Sequence, residues 1–320
     1  MQIARLMLTV CLALATPSAL AQTFPTKPIK VLVGYSPGGA VDIVARTVGQ
    51  KMSSVLGQPV IVENKPGAGT NIAVQALIDS TPDGYTLMLS ANALAANPSL
   101  YQPAPFDPEK DVAPVAQVGR VPVVIATSAG SPYASLSALV AAAKAAPGKI
   151  KFATPGNGST PHLAVELFAR AAGVKLVHVP YRGGTQAIVD VIGGQLPLVA
   201  VNALEVLPHV KSGKLRVLAV MSPTRTAMMP DVPTIAESGY PGFEASVWYG
   251  FIAPAATPKP VIARLHDAIE KAIASPEVRE RMASVGGEVT PGTTEQFGAL
   301  IHSERLRYQK LIREANLKPD

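Results

Sequence analysis

The stretch Ile29-Lys30-Val31-Leu32-Val33-Gly34-Tyr35-Ser36-Pro37-Gly38-Gly39-Ala40-Val41-Asp42 decides how the rest of the chain is read. Its first five residues form a short apolar run of the kind that makes a buried strand. From Ala40 to Leu56, Val41, Val44, Val48, Met52 and Val55 fall on one helical face, and Arg46, Gln50 and Lys51 fall off it. The Gly38-Gly39 pair therefore sits at a strand-to-helix turn. The first amides of a helix have no partner within it, and its dipole is positive at that end. Two glycines let a ligand approach such amides without meeting a Cβ. This is the chemistry of an anion seat, although a bare structural turn reads the same way.

The flanking sequence repeats the pattern. Leu56-Gly57 ends the helix, Val60 to Val62 is a second strand, and Glu63 to Thr70 is a second glycine-rich loop. A helix through Ile72, Val74 and Leu77 follows, then the turn Pro82-Asp83-Gly84-Tyr85 and a strand from Thr86 to Ser90. Strand, helix, strand, helix, strand predicts a parallel α/β half. Right-handed crossovers then bring Gly38-Gly39 and Ser90-Ala91-Asn92 to one sheet edge. Beyond a proline-rich passage, Pro98 to Pro114, lies a β-prone run from Val115 to Thr127, interrupted by Gly119 and Pro122.

A second α/β set comes next. Helices are expected over Ser135 to Ala145, Leu163 to Ala172 and Ala187 to Ile192. Strands are expected over Lys151 to Ala153, Leu176 to Val179, Leu196 to Val201 and Leu215 to Val220. Its glycine corner is Gly156-Asn157-Gly158-Ser159-Thr160. After an extended segment, Arg225 to Pro241, the run Ala245 to Ile252 is β-prone. From Pro258 the chain turns helical, with Thr257 and Ser275 as caps, a Thr293/Gln296 capping box, and a last helix to about Ala315.

The 320 residues suggest two domains, and 48% hydrophobic with 16% charged residues suits a globular core. The formal net charge of +6 comes without a dense Lys/Arg cluster, and aromatics make up 5%, so nucleic-acid binding finds no support. Arg5, the apolar run Leu6 to Ala15 and Ala19-Leu20-Ala21 read as a signal peptide cut after Ala21. The run is shorter than the ~20 residues that span a bilayer. Cys11 is the single cysteine, so a processed chain would hold no disulfide and no thiolate nucleophile. The expected location is the periplasm.

Catalytic patterns are weak. Ser159 lies in Gly-Asn-Gly-Ser-Thr and not in Gly-x-Ser-x-Gly, which leaves an exported hydrolase using Ser159 with His162 as the lesser alternative. The five histidines show no metal-ligand spacing, and neither a Gly-x-x-x-x-Gly-Lys-Ser/Thr nor a Gly-x-Gly-x-x-Gly signature stands at the first turn. No cofactor or metal is expected. Ser159 or Thr160 could instead cap a helix. Asp42 could cap the first turn, accept from a ligand N–H or hold a bridging water. Arg182 could pair a second acid group or lie solvated. Asn92 and Asn202 end apolar strands, where cleft residues sit, and each could equally be a turn residue. An exported, two-lobed α/β protein without a catalytic cluster reads as a binding protein.

Several motifs, in order over the whole chain, resemble those of one family. They are Tyr35 to Asp42, Glu63 to Gly69, Pro82 to Leu87, Gly156 to Ser159 with His162-Leu163, Val179 to Gly183, Asp231-Val232-Pro233-Thr234 with Glu237 and Gly239, Trp248-Tyr249-Gly250 and Ala253-Pro254. The chain resembles Bug-type extracytoplasmic solute receptors of the tripartite tricarboxylate transporter class. That resemblance implies a type II periplasmic-binding-protein fold. Two α/β lobes with mixed sheets would be joined by two crossing strands, with residues 22–119 plus 251–320 in one lobe and 120–250 in the other. It implies a monomer that binds a small carboxylate-bearing solute between the lobes and delivers it to two membrane subunits. Carried over, the binding residues are Tyr35, Ser36, Gly38, Gly39, Asp42 and Asn92 from lobe one, with Asn157, Gly158, Ser159, Thr160, Tyr181 and Asn202 from lobe two. The sequence departs from the family pattern over Pro197 to Asn202, where many relatives carry an acidic or aromatic residue. A ligand-sensing component without a transport role would share these features.

Overall fold

The computed structural model describes residues 24–226, 228–283 and 287–319. The signal-peptide reading of residues 1–21, with Cys11, falls outside them. Five apolar residues make β1 (Ile29–Val33), and the amphipathic run after Gly39 makes α1 (Ala40–Leu56). Val41, Val44, Val48 and Met52 are buried as their spacing predicts. Full burial of each such side chain stabilises by roughly 1.5–3 kcal/mol before conformational entropy is counted. Gly57 ends α1 in the left-handed region at φ 69°.

β2 (Val60–Asn64), α2 (Asn71–Ile78), β3 (Thr86–Ser90) and α3 (Ala93–Leu100) complete the first set. β1 runs parallel to both β2 and β3, so the carboxyl ends of β1 and β3 share an edge as expected. β4 (Val112–Ser128) is one continuous strand. Gly119 and Pro122 do not break it: a register shift at Gln117/Gly119 takes up the irregularity at Gly119, and Pro122 stays in register opposite Ser246.

The second set is α4 (Leu136–Ala145), β5 (Lys151–Thr154), α5 (Thr160–Ala172), β6 (Val177–Pro180), α6 (Gly184–Ile192), β7 (Leu198–Asn202), α7 (Ala203–Lys211) and β8 (Leu215–Val220). β9 (Ser246–Pro254), α8 (Lys259–Ala274), α9 (Pro276–Ala283), β10 (Glu288–Val289) and α10 (Thr294–Ala315) follow. The main strand order is β2-β1-β3-β9-β4-β7-β5-β6, with β8 and β10 also on β4. The first part of β4 pairs antiparallel with β9 through Pro122↔Ser246, and its last part pairs with β7 and β8. β4 thus runs through both mixed α/β sheets, and β9 lies beside its first part.

Three sequence expectations are corrected. α5 begins at Thr160 rather than Leu163, with Ser159 as its cap. α8 begins at Lys259 with Pro258 at its cap position, and the Thr257 hydroxyl donates to the Pro254 carbonyl instead. α3 and α7 were not expected, because Pro98 and Pro208 lie inside them. Among the described residues no helix is long and apolar enough to cross a membrane.

Candidate functional site

Three helices aim their first turns at one place between the sheets. Gly39 caps α1 and Gly183 caps α6, neither with a side-chain hydrogen bond. Ser159 caps α5, its Oγ accepting from the His162 amide and donating to the Gly156 carbonyl. Around these ends lies a small cavity with about 20 Å³ of room for a water-sized occupant. Tyr35, Gly39, Ala40, Ser159, Thr160 and Gly184 line it, together with Asn202, Glu205 and Tyr249. A wider crevice of about 890 Å³ shares Tyr35 and Pro155 with it and adds Asn157, Tyr181 and Arg182.

Glu205 dominates the cavity. It stands at the third position of α7, whose cap is Asn202. The Asn202 Nδ2 donates to Glu205 Oε1 at 3.0 Å. Burial pushes the Glu205 carboxyl up to about 7, although the Asn202 side chain and amide and the Ala40 amide all favour its charge. Ala40 opens α1, so a carboxylate from α7 reaches the open end of a helix on the opposite sheet. Gly184 makes room for it: a Cβ there would run into the Glu205 carboxyl. Burial, then the Glu205 charge, raises the hydroxyls of both Tyr35 and Tyr249 above their ordinary value.

Among the described residues, several buried polar atoms at this place have no hydrogen-bond partner. They are Glu205 Oε2, Asn202 Oδ1, Thr160 Oγ1 and Tyr249 OH in the cavity and Asn157 Oδ1 beside it. Buried polar groups are normally satisfied, and each orphan costs about 1–3 kcal/mol. Their clustering marks a place built for an occupant.

The residues expected from the sequence divide into three groups. Tyr35, Gly39, Ser159, Thr160 and Asn202 line the cavity, and Asn157 and Tyr181 line only the wider crevice. The Tyr181 hydroxyl donates to Asp190; burial, then that contact, raises it to about 12. Ser36, Gly38, Asp42, Asn92 and Gly158 line neither. Ser36 instead joins the two sides, its amide and Oγ both donating to the Arg182 carbonyl, at 3.1 and 3.0 Å.

Asp42 is absorbed by its own loop. It accepts from the Gly38 amide at 2.9 Å, from Asn64 Nδ2 at 3.0 Å and from Arg46. Burial alone would raise this carboxyl, but those bonds outweigh it and hold it low. Asp42 therefore closes its own loop and does not cap the first turn of α1, whose cap residue is Gly39 without a side-chain hydrogen bond. The Gly158 amide donates to His162 Nδ1. Asn92 is a clamp: Nδ2 donates to Tyr308 OH and Glu304 Oε2, and Oδ1 accepts from the Trp248 amide, which pins α10 and β9 to the end of β3.

Glu205, Tyr249 and Gly184 were missed. A signal for Glu205 was present: Asn202-Ala203-Leu204-Glu205 has the cap-x-x-Glu spacing of a helix start. Pro208 masked it. Among the described residues no three His, Cys, Asp or Glu side chains are placed to hold a metal.

Comparison with known proteins gives one consistent result. The family model described as tripartite tricarboxylate transporter family receptor matches residues 44–317. Protein BugT of Bordetella pertussis is 38% identical over 324 residues, covering 99% of each chain. The structure of the periplasmic binding protein BugD superposes with a TM-score of 0.89 at 33% identity, covering 93% of this chain and 100% of that one. A Rhodopseudomonas palustris protein, Rpa4515, solved with adipate, has a TM-score of 0.89 at 28% identity over the same shares.

Proposed function

The chain belongs to the tripartite tricarboxylate transporter family of receptors, and on that premise we propose that it is a periplasmic receptor closing on a small carboxylate-bearing solute. The solute occupies the wider crevice between the two sheets, and one of its polar groups reaches toward the small cavity beside it. Residues 22–119 with 251–320 act as one lobe and 120–250 as the other, with β4 and β9 as the hinge. The exported monomer hands its cargo to two membrane subunits.

One observation carries this reading. Unpartnered buried polar atoms and the first turns of α1, α5 and α6 converge on one small cavity. The first turns of α1 and α6 already meet Glu205, while that of α5 favours negative charge, and Thr160 Oγ1 and Tyr249 OH can each donate to a carboxylate. Charge-assisted bonds of this kind contribute about 1.5–3 kcal/mol each. Adipate in Rpa4515 is a solute of the proposed class. The hydrolase alternative loses its geometry, since Ser159 Oγ serves the Gly156 carbonyl and the His162 backbone amide, not the imidazole.

A thermal-shift screen of small organic acids tests the proposal. A true ligand at a hundred times its Kd should add ~2.7 kcal/mol of stability and raise Tm visibly. A flat response to monocarboxylates, dicarboxylates and amino acids alike would overturn it.

A further inference from the structure

We propose that Glu205 becomes a neutral acid as the solute binds: it takes one proton from solvent onto Oε2 and meets the solute carboxylate as a donor, so that capture of the solute is coupled to proton uptake. This rests on the receptor reading above and adds a binding residue and a proton to it.

Glu205 reaches from one sheet to the other. It rises from α7, accepts from the Ala40 amide at the start of α1, and lies where a Cβ on Gly184, at the start of α6, would strike it. It is 8% exposed. Oε1 accepts from Asn202 Nδ2, while Oε2 is buried without a partner. Oε2 is therefore the oxygen free to carry a proton. Glu205 lines the small cavity toward which the solute carboxylate is directed. That cavity has room for one water, so the two carboxyl groups meet directly or across a single water.

Among the described residues no Lys, Arg or His lines this cavity. The titratable groups facing Glu205 are Tyr35, from the loop after β1, and Tyr249, from β9, and neither is cationic. On the other elements around it, Asp42 and Arg46 of α1 pair with each other, Asp190 of α6 holds the Tyr181 hydroxyl, and His162 of α5 takes the Gly158 amide on Nδ1. Arg120 of β4 and Arg216 of β8 are exposed, β7 has no titratable residue, and His209 and Lys211 lie at the far end of α7. Two carboxylates about 5 Å apart at an effective dielectric of about 20 repel enough to favour protonation of one of them on the order of a hundredfold. Glu205 is the one that takes the proton, because burial already pushes its carboxyl up to about 7, whereas the solute acid arrives from water with an ordinary value.

A glutamate that only tied α7 to α1 would stay ionised on its Asn202 and Ala40 donors. Its Oε2 would then lie buried beside the incoming carboxylate with neither a proton nor a cation.

Isothermal titration of the tightest binder among butyrate, succinate, glutarate, adipate and L-glutamate tests the proposal. Its Kd should rise ~30-fold between about pH 6 and about pH 8.5, and less than ~3-fold over that range in Glu205→Gln. At about pH 8 the dependence of binding enthalpy on buffer ionisation enthalpy should report uptake of close to one proton. Infrared difference spectra of the unmodified protein at that pH should show a protonated-carboxyl band appearing on binding. That band separates Glu205 from a titrating histidine even if the variant fails to fold. Buffer-independent enthalpy, uptake without the carboxyl band, or uptake that persists in Glu205→Gln overturns the proposal and leaves the carboxylate receptor standing. Binding of none of the five acids overturns both.

Discussion

The two glycine corners look alike in sequence and do different work. The first, Gly38-Gly39, leaves the end of α1 without a side-chain cap. Across the gap it meets the turn into α6: Ser36 bonds the Arg182 carbonyl, and a Cβ on Gly38 would lie 3.6 Å from Thr185 Oγ1. The second, Gly156 to Ser159, spends its donors on itself, through Ser159 Oγ on Gly156 and the Gly158 amide on His162. It packs against Asn97 of α3, whose Oδ1 a Cβ on Gly158 would strike, at φ +70°. An open helix end can take a charge from elsewhere, and a capped end holds a wall in place. The open ends of α1 and α6 are where Glu205 arrives.

The sharpest way to break this comparison is Gly184→Ala. The added methyl takes the space of the Glu205 carboxyl. Solute affinity should fall ~100-fold or more, about 2.7 kcal/mol, with far-UV circular dichroism unchanged. Affinity within a few-fold of the native protein would separate Glu205 from the site.

The next largest effect is on stability against pH. The folded Glu205 carboxyl is raised from 4.5 to about 7. The folded state therefore binds the extra proton between those values. Its contribution is complete below about pH 4.5 and is lost as pH rises through 7, by roughly 3 kcal/mol at most. Denaturant melts of Glu205→Gln against the native protein should differ in slope over that window. Identical pH profiles would mean that Glu205 is not buried as described.

Asp42→Asn tests the self-absorbed first corner. It removes the charge that Arg46, Asn64 and the Gly38 amide hold, and should cost about 2 kcal/mol in urea melts. The low carboxyl of Asp42 has the opposite linkage to Glu205: its contribution is present above the ordinary range and lost as pH falls below it. The smallest effects belong to Ser159→Ala, which loses a helix cap and about 1 kcal/mol, and to Gly39→Ala. A Cβ on Gly39 meets only ordinary contacts, at 3.5 Å from the Ser36 carbonyl and 3.8 Å from Glu205 Oε2. Affinity in Gly39→Ala should drop less than ~5-fold, and a loss equal to that of Gly184→Ala would erase the difference between the two open ends.

The strands of the first set and the first helix were legible because apolar runs and 3.6-residue spacing depend on local sequence. Ile29 to Val33 and Val41 to Met52 carry that signal unaided. The site was only half legible. Tyr35, Gly39, Ser159, Thr160 and Asn202 could be placed because they sit at strand ends and helix starts. Glu205 could not, since Pro208 hides α7 and its meeting with Ala40 depends on how two sheets face each other. Asn92 and Asp42 show the converse error: each stands at a cleft-like position in sequence, yet partners from α10, β9 and β2 consume their polar atoms.

The most direct test is a crystal structure of the protein purified from periplasm with its solute retained. The account predicts one small molecule between the lobes, lying in the wider crevice with a carboxylate oxygen directed toward the small cavity lined by Thr160 and Tyr249. Solute density elsewhere, for instance in the groove of about 720 Å³ beside the end of α10, with Glu205 still reaching into an undisturbed cavity, would contradict it.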